Sequence, residues 1–255
     1  MIRFALARAT RRLELSCSLC VLPFLLTLGC SRRVEEPEPR KVEEATEKRV
    51  EVKQAVPREV TRDKADDNGD PLGGKFSLAD ATMGLPEKGT LTATMKTTKG
   101  TLECELFEDK APITVANFVG LARGLRPFRD PQKNWVKKPA YDGTTFHRVI
   151  KGFMIQGGDP EGTGRGEPGY VIPDEVWPGA THNERGLLCM ANRGPNTNGM
   201  QFFIMDGSAP HLDRSYTIFG KCGPGSVIEA IADSKVSGDR AIDPVKIEKV
   251  TVTRR

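Results

Sequence analysis

Residues 146–160 constrain this chain more than any other stretch. They read Phe146-His147-Arg148-Val149-Ile150-Lys151-Gly152-Phe153-Met154-Ile155-Gln156-Gly157-Gly158-Asp159-Pro160. Two short apolar segments meet at Lys151-Gly152 and stop at Gly157-Gly158, the pattern of two strands joined by a tight turn. Arg148 and Gln156 interrupt them where a buried strand would hold aliphatic side chains. Burying an unpaired arginine is strongly unfavourable, so Arg148 pairs with an acid, sits at a rim or faces a ligand. On residue type alone, the structural ion pair is the commoner outcome.

Around this stretch the periodicity is mostly that of strands. From Gly89 onward Leu91, Ala93 and Met95 alternate with threonines, Lys99-Gly100 turns the chain, and Leu102, Cys104 and Leu106 alternate with Glu103 and Glu105. That predicts a hairpin with one buried face. Asp109 is placed to cap a helix with Pro112 in its first turn, and Val115, Phe118, Val119 and Ala122 form its apolar stripe, ended by Gly124. Leu125–Ala140 reads as a loop anchored by Phe128 and Trp135. Further strands are expected over Leu187–Ala191, Gln201–Met205, Tyr216–Phe219 and Val245–Val252, with a short helix over Ser226–Ile231. Many short strands and two helices predict a mainly β fold, a closed antiparallel barrel with helical caps.

Of the 255 residues, 38% are hydrophobic, enough for one domain with appended segments. A net charge of +4, with basic and acidic residues interspersed, gives no nucleic-acid patch. Arg3, Arg8, Arg11 and Arg12 precede an apolar run from Leu15 to Leu28, a basic and apolar leader shorter than a membrane span. We read residues 1–29 as a signal peptide, 30–84 as a charged disordered linker and 85–255 as the folded domain. The linker is rich in Glu, Lys, Arg and Pro and cannot bury enough apolar area to offset its ordering entropy.

Several chemistries find little support. The spacing of Cys17 and Cys20 lacks a second pair, and His147 and His182 show no ligand spacing with Asp159 or Asp174, so no metal is expected. Cys104, Cys189 and Cys222 lie singly and read as small core residues rather than a disulfide framework. Gly162-Thr163-Gly164-Arg165-Gly166-Glu167-Pro168-Gly169 lacks the Lys and helix start of a phosphate loop. No Gly-x-Ser-x-Gly elbow supports a hydrolase. In Gln201-Phe202-Phe203-Ile204, period two puts Phe202 and Ile204 on one apolar face and Gln201 beside Phe203 on the other. An amide beside a ring suits a groove that takes an apolar side chain and bonds the neighbouring backbone.

The 146–159 stretch resembles the signature of the cyclophilins, a class of peptidyl-prolyl cis-trans isomerases. Met190-Ala191-Asn192-Arg193-Gly194-Pro195-Asn196-Thr197-Asn198-Gly199-Met200-Gln201-Phe202-Phe203-Ile204 resembles a second block of that family. Leu212-Asp213 followed by Ile218-Phe219-Gly220 resembles a third. The resemblance runs from about Gly89 to the C-terminus and implies an eight-stranded antiparallel barrel capped by two helices. It implies Arg148 as the catalytic residue, with Phe153, Met154, Phe203 and Leu212 lining a proline pocket. Gln156, Asn192 and Gln201 would hold substrate backbone, Ala191 would pack beside them, and Tyr216 stands where the family often has histidine. His211 occupies a position where cyclosporin-sensitive members carry tryptophan, so weak cyclosporin inhibition is expected. Arg193 and Met200 replace smaller residues beside the groove.

No cofactor is implied, because rotation about a peptide bond breaks no bond. Proline-containing polypeptides are the expected partners, and a monomer is expected. Leu26-Thr27-Leu28-Gly29-Cys30 resembles the lipobox of bacterial lipoproteins, which implies lipidation at Cys30 and a membrane-anchored protein of the bacterial cell envelope. Two other functions compete with the isomerase: a non-catalytic module that binds proline segments, and a structural envelope lipoprotein.

Overall fold

The structure, a computed structural model, describes residues 70–255. The leader, Cys30 and residues 31–69 lie outside the described residues. In chain order the elements are α1 (Leu78–Thr82), β1 (Leu91–Thr97), β2 (Gly100–Leu106), α2 (Pro112–Ala122), β3 (Phe128–Arg129) and β4 (Trp135–Val136). Then follow β5 (Arg148–Ile150), β6 (Met154–Gly157), β7 (Leu187–Met190), β8 (Phe202–Met205), β9 (Ile218–Gly223), α3 (Gly225–Ala232), β10 (Val236–Ser237), β11 (Arg240–Ala241) and β12 (Ile247–Arg254). A 3-10 turn spans Pro210–Leu212.

The alternation of the first hairpin sets its pairing. Ala93 lies opposite Cys104 and Met95 opposite Leu102, and all four are fully buried while Glu103 and Glu105 face out. One antiparallel sheet of ten strands runs β10-β11-β5-β6-β8-β7-β9-β2-β1-β12, and β3 and β4 form a separate two-stranded ribbon. The start of β12 is tied to the run that enters β5. Phe146 N donates to Val245 O at 2.9 Å and Ile247 N to Thr144 O at 2.8 Å, and Thr145 bridges Lys246. The fold is mainly β with a few helices. The strand ladder has ten members and two ends rather than the expected closed ring of eight, and three α-helices stand where two were expected.

Aromatic rings fill the space between α2 and the sheet. The Phe118 centroid lies 5.1 Å from Tyr141, 5.6 Å from Phe202 and 5.3 Å from Phe219, and these stacked, edge-on and tilted contacts add to the stabilisation from the area they bury. Helix α2 is buried from Thr114 through Ala122, not along one stripe. The segment before the first hairpin covers its far side: Ala81 is fully buried and Phe76, Leu78 and Leu85 pack on the core. Asp70 and Arg126 form an ion pair at 3.2 Å, with side chains only 2% and 3% exposed. The Arg126 guanidinium lies 4.0 Å from the Tyr170 ring centroid. At Gly120 a Cβ would come 2.3 Å from the Phe76 ring, so close approach of this segment requires glycine there. Residues 70–84, read above as linker, therefore pack as part of the folded unit.

Two local expectations change. Cys104 and Cys222, directly opposite in the β2–β9 pairing, form a disulfide; only Cys189 remains as a free, buried thiol among the described residues. Asp109 does not cap α2. The Ala111 N-cap makes no side-chain bond, and the carboxyl of Glu175 instead accepts Ile113 N at 3.0 Å and Thr114 N at 2.7 Å.

Candidate active site

Three adjacent strands carry the centre of the site. In β5, β6 and β8 the register sets Arg148 opposite Gln156 and Gln156 opposite Phe203, so guanidinium, amide and ring form one row. Val149, Ile155, Phe202 and Ile204 point to the opposite face and join the main core. The outer face holds a second apolar cluster of Met154, Phe203, Leu212, Met205 and Ile218, on which Phe153, Ala191 and Tyr216 pack. Period two thus sorts the two faces as the sequence implies.

Polar groups run along the edge of this cluster. Arg148 Nε donates to Asp239 Oδ2 at 2.6 Å, and Nη1 donates to Gln156 Oε1 at 3.4 Å. Gln156 Nε2 donates to Gln201 Oε1 at 3.0 Å, and Gln201 Nε2 donates to Gly166 O at 2.9 Å. The guanidinium beside Asp239 holds that carboxyl below its ordinary range. Asn192 Nδ2 donates to Ser215 O at 2.8 Å, and this joins the Asn192 turn to the loop that carries Leu212 and Tyr216. That loop is pinned from below, where Asp213 accepts His182 N at 2.7 Å and His182 Nδ1 lies 2.9 Å from the same oxygen. These bonds, the backbone one first, lower the Asp213 pKa.

Rings frame the apolar part. Phe153 and His211 lie 5.7 Å apart with planes tilted by 36°, and Tyr216 meets Phe203 edge-on at 5.7 Å. Met154, Phe203 and Leu212 are buried, Phe153 and Tyr216 half-buried, and His211 exposed. An open pocket continues from Gln156 and Gln201 past Ala191 and Asn192 to Arg193 and Glu167, which pair with each other. Next to Arg148, the His147 ring is buried and neither of its nitrogens finds a partner. Burial pushes its pKa down, against the pull of Asp159. Among the described residues no three His, Cys, Asp or Glu side chains converge as metal ligands.

Every residue named from the sequence for the groove falls on this one face or its bordering loops. The structure adds residues that the sequence reading passed over. Asp239 holds Arg148 from 91 positions away, and Gly166 holds Gln201. Asp206 accepts Gly152 N at 2.7 Å and fixes the turn between β5 and β6. No local pattern announces any of the three.

Comparison with known proteins gives this geometry a family. The family model for cyclophilin type peptidyl-prolyl cis-trans isomerase/CLD matches residues 92–252. The chain belongs to the cyclophilin family. It is 50% identical over 169 residues to peptidyl-prolyl cis-trans isomerase A of Mycobacterium tuberculosis, covering 64% of this chain and 93% of that one. It is 45% identical over 171 residues to peptidyl-prolyl cis-trans isomerase B of Streptomyces anulatus, covering 65% of this chain and 98% of that one. A crystal structure of a Cryptosporidium parvum cyclophilin in the presence of the dipeptide Ala-Pro superposes with a TM-score of 0.56. There the identity is 34%, covering 64% of this chain and 99% of that chain. As a cyclophilin with such relatives, the protein is a peptidyl-prolyl cis-trans isomerase.

Proposed function

We propose that this cyclophilin accelerates X-Pro isomerisation in proteins folding in a bacterial cell envelope, with Arg148 as its catalytic residue. The row of Arg148, Gln156 and Phe203 beside the Phe153–Met154–Leu212 cluster carries this reading. The apolar cluster takes the proline ring, as the Ala-Pro dipeptide of the Cryptosporidium relative suggests. Gln156, Gln201 and Asn192 hold the backbone before it, so one side of the bond is gripped while the other turns.

The physical task explains why a guanidinium is suited to it. Rotation about a peptide bond faces a barrier of about 18–20 kcal/mol, and free X-Pro bonds isomerise in about tens to hundreds of seconds. In the twisted state the imide loses resonance and its nitrogen gains a lone pair. A donor aimed at that nitrogen stabilises the twisted state more than either planar state, which is what catalysis requires. Arg148 Nε and Nη1 are taken by Asp239 and Gln156, which leaves Nη2 for the substrate. His211, exposed against Phe153, offers no indole at the rim, and weak cyclosporin inhibition follows from that.

The envelope assignment draws on two observations. The leader ends in Leu26-Thr27-Leu28-Gly29-Cys30, with Cys30 as the lipidated residue, and the Cys104–Cys222 disulfide suits an oxidising compartment. The anchored protein acts as a monomer facing the periplasm or the outside.

The test is an isomerisation assay on the full chain with Arg148→Ala and Arg148→Lys. Both should lose about 10²-fold or more in kcat/KM, with the melting temperature unchanged. If wild type and Arg148→Ala were equally slow while both bound proline peptides, the protein would be a binding module; an Arg148→Ala protein as fast as an active wild type would remove Arg148 as the catalytic residue. Fatty-acid labelling that persists in Cys30→Ser would remove the lipid anchor.

A further inference from the structure

The bond that orients Gln201 comes from outside the sheet. Its acceptor, Gly166 O, belongs to the glycine-rich turn after β6, and one buried side chain shapes that turn. Asp159 is 1% exposed. Its Oδ1 accepts Glu161 N at 2.7 Å. Its Oδ2 accepts Thr163 N at 3.0 Å, Gly164 N at 2.6 Å and Gly166 N at 3.2 Å. A carboxylate that gathers several N–H groups away from water is a strong anchor. The fit leaves no room for a side chain, since a Cβ on Gly166 would come 1.8 Å from Asp159 Oδ1.

The polarity of the chain of bonds leading away from this turn matters. A carbonyl only accepts, so Gly166 O forces Gln201 to present its NH2 outward and its Oε1 toward β6. Gln156 must then give its NH2 to Gln201, which leaves its own Oε1 for the guanidinium of Arg148. If Gly166 O moved away, both amides would be free to flip. A flipped Gln156 would set NH2 against the Arg148 donors, two donors with nothing to share.

We infer that Asp159 is a positioning residue for the isomerisation: by holding the Glu161–Gly166 turn it sets the polarity of the Gln201–Gln156 relay and so the place of Arg148. This rests on the catalytic reading of Arg148. Asp159 itself lies beneath the turn and acts only through it.

Asp159→Asn puts an NH2 group against backbone donors, and Gly166→Ala displaces the turn without altering the carboxyl. In the full chain, each should lower kcat on the order of tenfold, well within what a misplacement of about 1 Å costs. Rates are normalised to the folded fraction from near-ultraviolet circular dichroism and measured at saturating proline tetrapeptide, so that any weakening of the backbone grip of Gln201 and Gln156 is read separately as Kd. In a Gln201→Leu background, where the relay is already cut, Asp159→Asn should have almost no further effect on kcat. A merely structural aspartate would cost the same in both backgrounds, and that result overturns the inference, as does a folded Asp159→Asn protein with wild-type kcat. Side-chain 15N relaxation of the unaltered protein needs no variant: the Gln201 and Gln156 amides should both be ordered, and a freely rotating Gln201 amide is equally fatal. If Arg148→Ala is harmless, the catalytic reading itself fails; if only the Asp159 and Gly166 variants are harmless, the relay alone fails.

Discussion

The guanidinium of Arg148 is gripped on two edges, by Asp239 and by Gln156. Of the three readings open to an arginine in an apolar strand, the acidic partner is present, and the same side chain lies in the row with Gln156 and Phe203. The pair with Asp239 is 40% and 52% exposed, and exposed pairs contribute only about 0–1 kcal/mol. Asp239→Asn should thus leave the melting temperature unchanged and lower kcat by no more than about fivefold, the rate equivalent of that energy; steady-state kinetics beside a thermal melt checks it. His147 gives a different signature. Burial lowers its pKa, so below the ordinary imidazole value of about 6.5 the unfolded chain takes up a proton that the folded chain refuses. Stability is then full above about 6.5 and falls as the pH drops toward the folded value. Denaturant titrations between pH 7 and 5 should show this decline, and His147→Leu should flatten it. The role proposed for Arg148 comes from the resemblance of three blocks to the cyclophilins, since its own stretch favours an ion pair, and Asp239 could not be paired with it in advance because 91 positions separate the two.

Helix α2 shows what a local pattern delivers. The apolar spacing of Val115, Phe118, Val119 and Ala122 and the Pro112 start place the helix correctly, since both depend on residues within one or two turns. Its cap is another matter. Glu175, 61 and 62 positions away, accepts the Thr114 and Ile113 N–H groups, and burial raises the Glu175 pKa against the pull of these two bonds. Glu175→Ala strands the part-buried Thr114 donor, at about 1–3 kcal/mol for an unsatisfied buried group, whereas the exposed Ile113 donor can turn to water. For a domain of this size about 2–4 °C is lost per kcal/mol, so a melt should show a fall of several degrees with kcat unaffected. Strand β8 was legible for the same reason as the helix: alternation is a property of the pleat itself, so Phe202 and Ile204 go to the core while Phe203 goes to the groove. The 70–84 segment was not legible. Only Asp70, Lys75 and Asp80 are charged in it, and Ser77 with Asp80 forms a capping box, but so short an apolar run does not say that it docks: Ala81 is buried and Phe76 and Leu78 pack on the core because α2 offers a surface for them.

For the molecule as a whole, the disulfide between Cys104 and Cys222 ties the second strand to the ninth across 118 positions. Closing so long a loop removes freedom from the unfolded chain, and loss of a native disulfide costs about 2–5 kcal/mol. Cys104→Ala with Cys222→Ala should lower the unfolding free energy by that amount in denaturant titrations, while Cys189→Ala, which touches no bridge, should leave the disulfide intact by mass spectrometry. By itself, the sequence determined whatever depends on neighbours along the chain: strand alternation, the α2 stripe, the turns at Lys151-Gly152 and Gly157-Gly158, and the three blocks that resemble the cyclophilins. Tertiary structure alone decided which cysteines join, which acid meets Arg148, how the sheet reaches ten strands and how Asp159 comes to govern a turn beside the groove. The physical reason is one of range. Periodicity is repeated every few residues by backbone geometry and survives in one dimension, whereas a partner is chosen by which distant surfaces the packed core brings within 3 Å or so of each other.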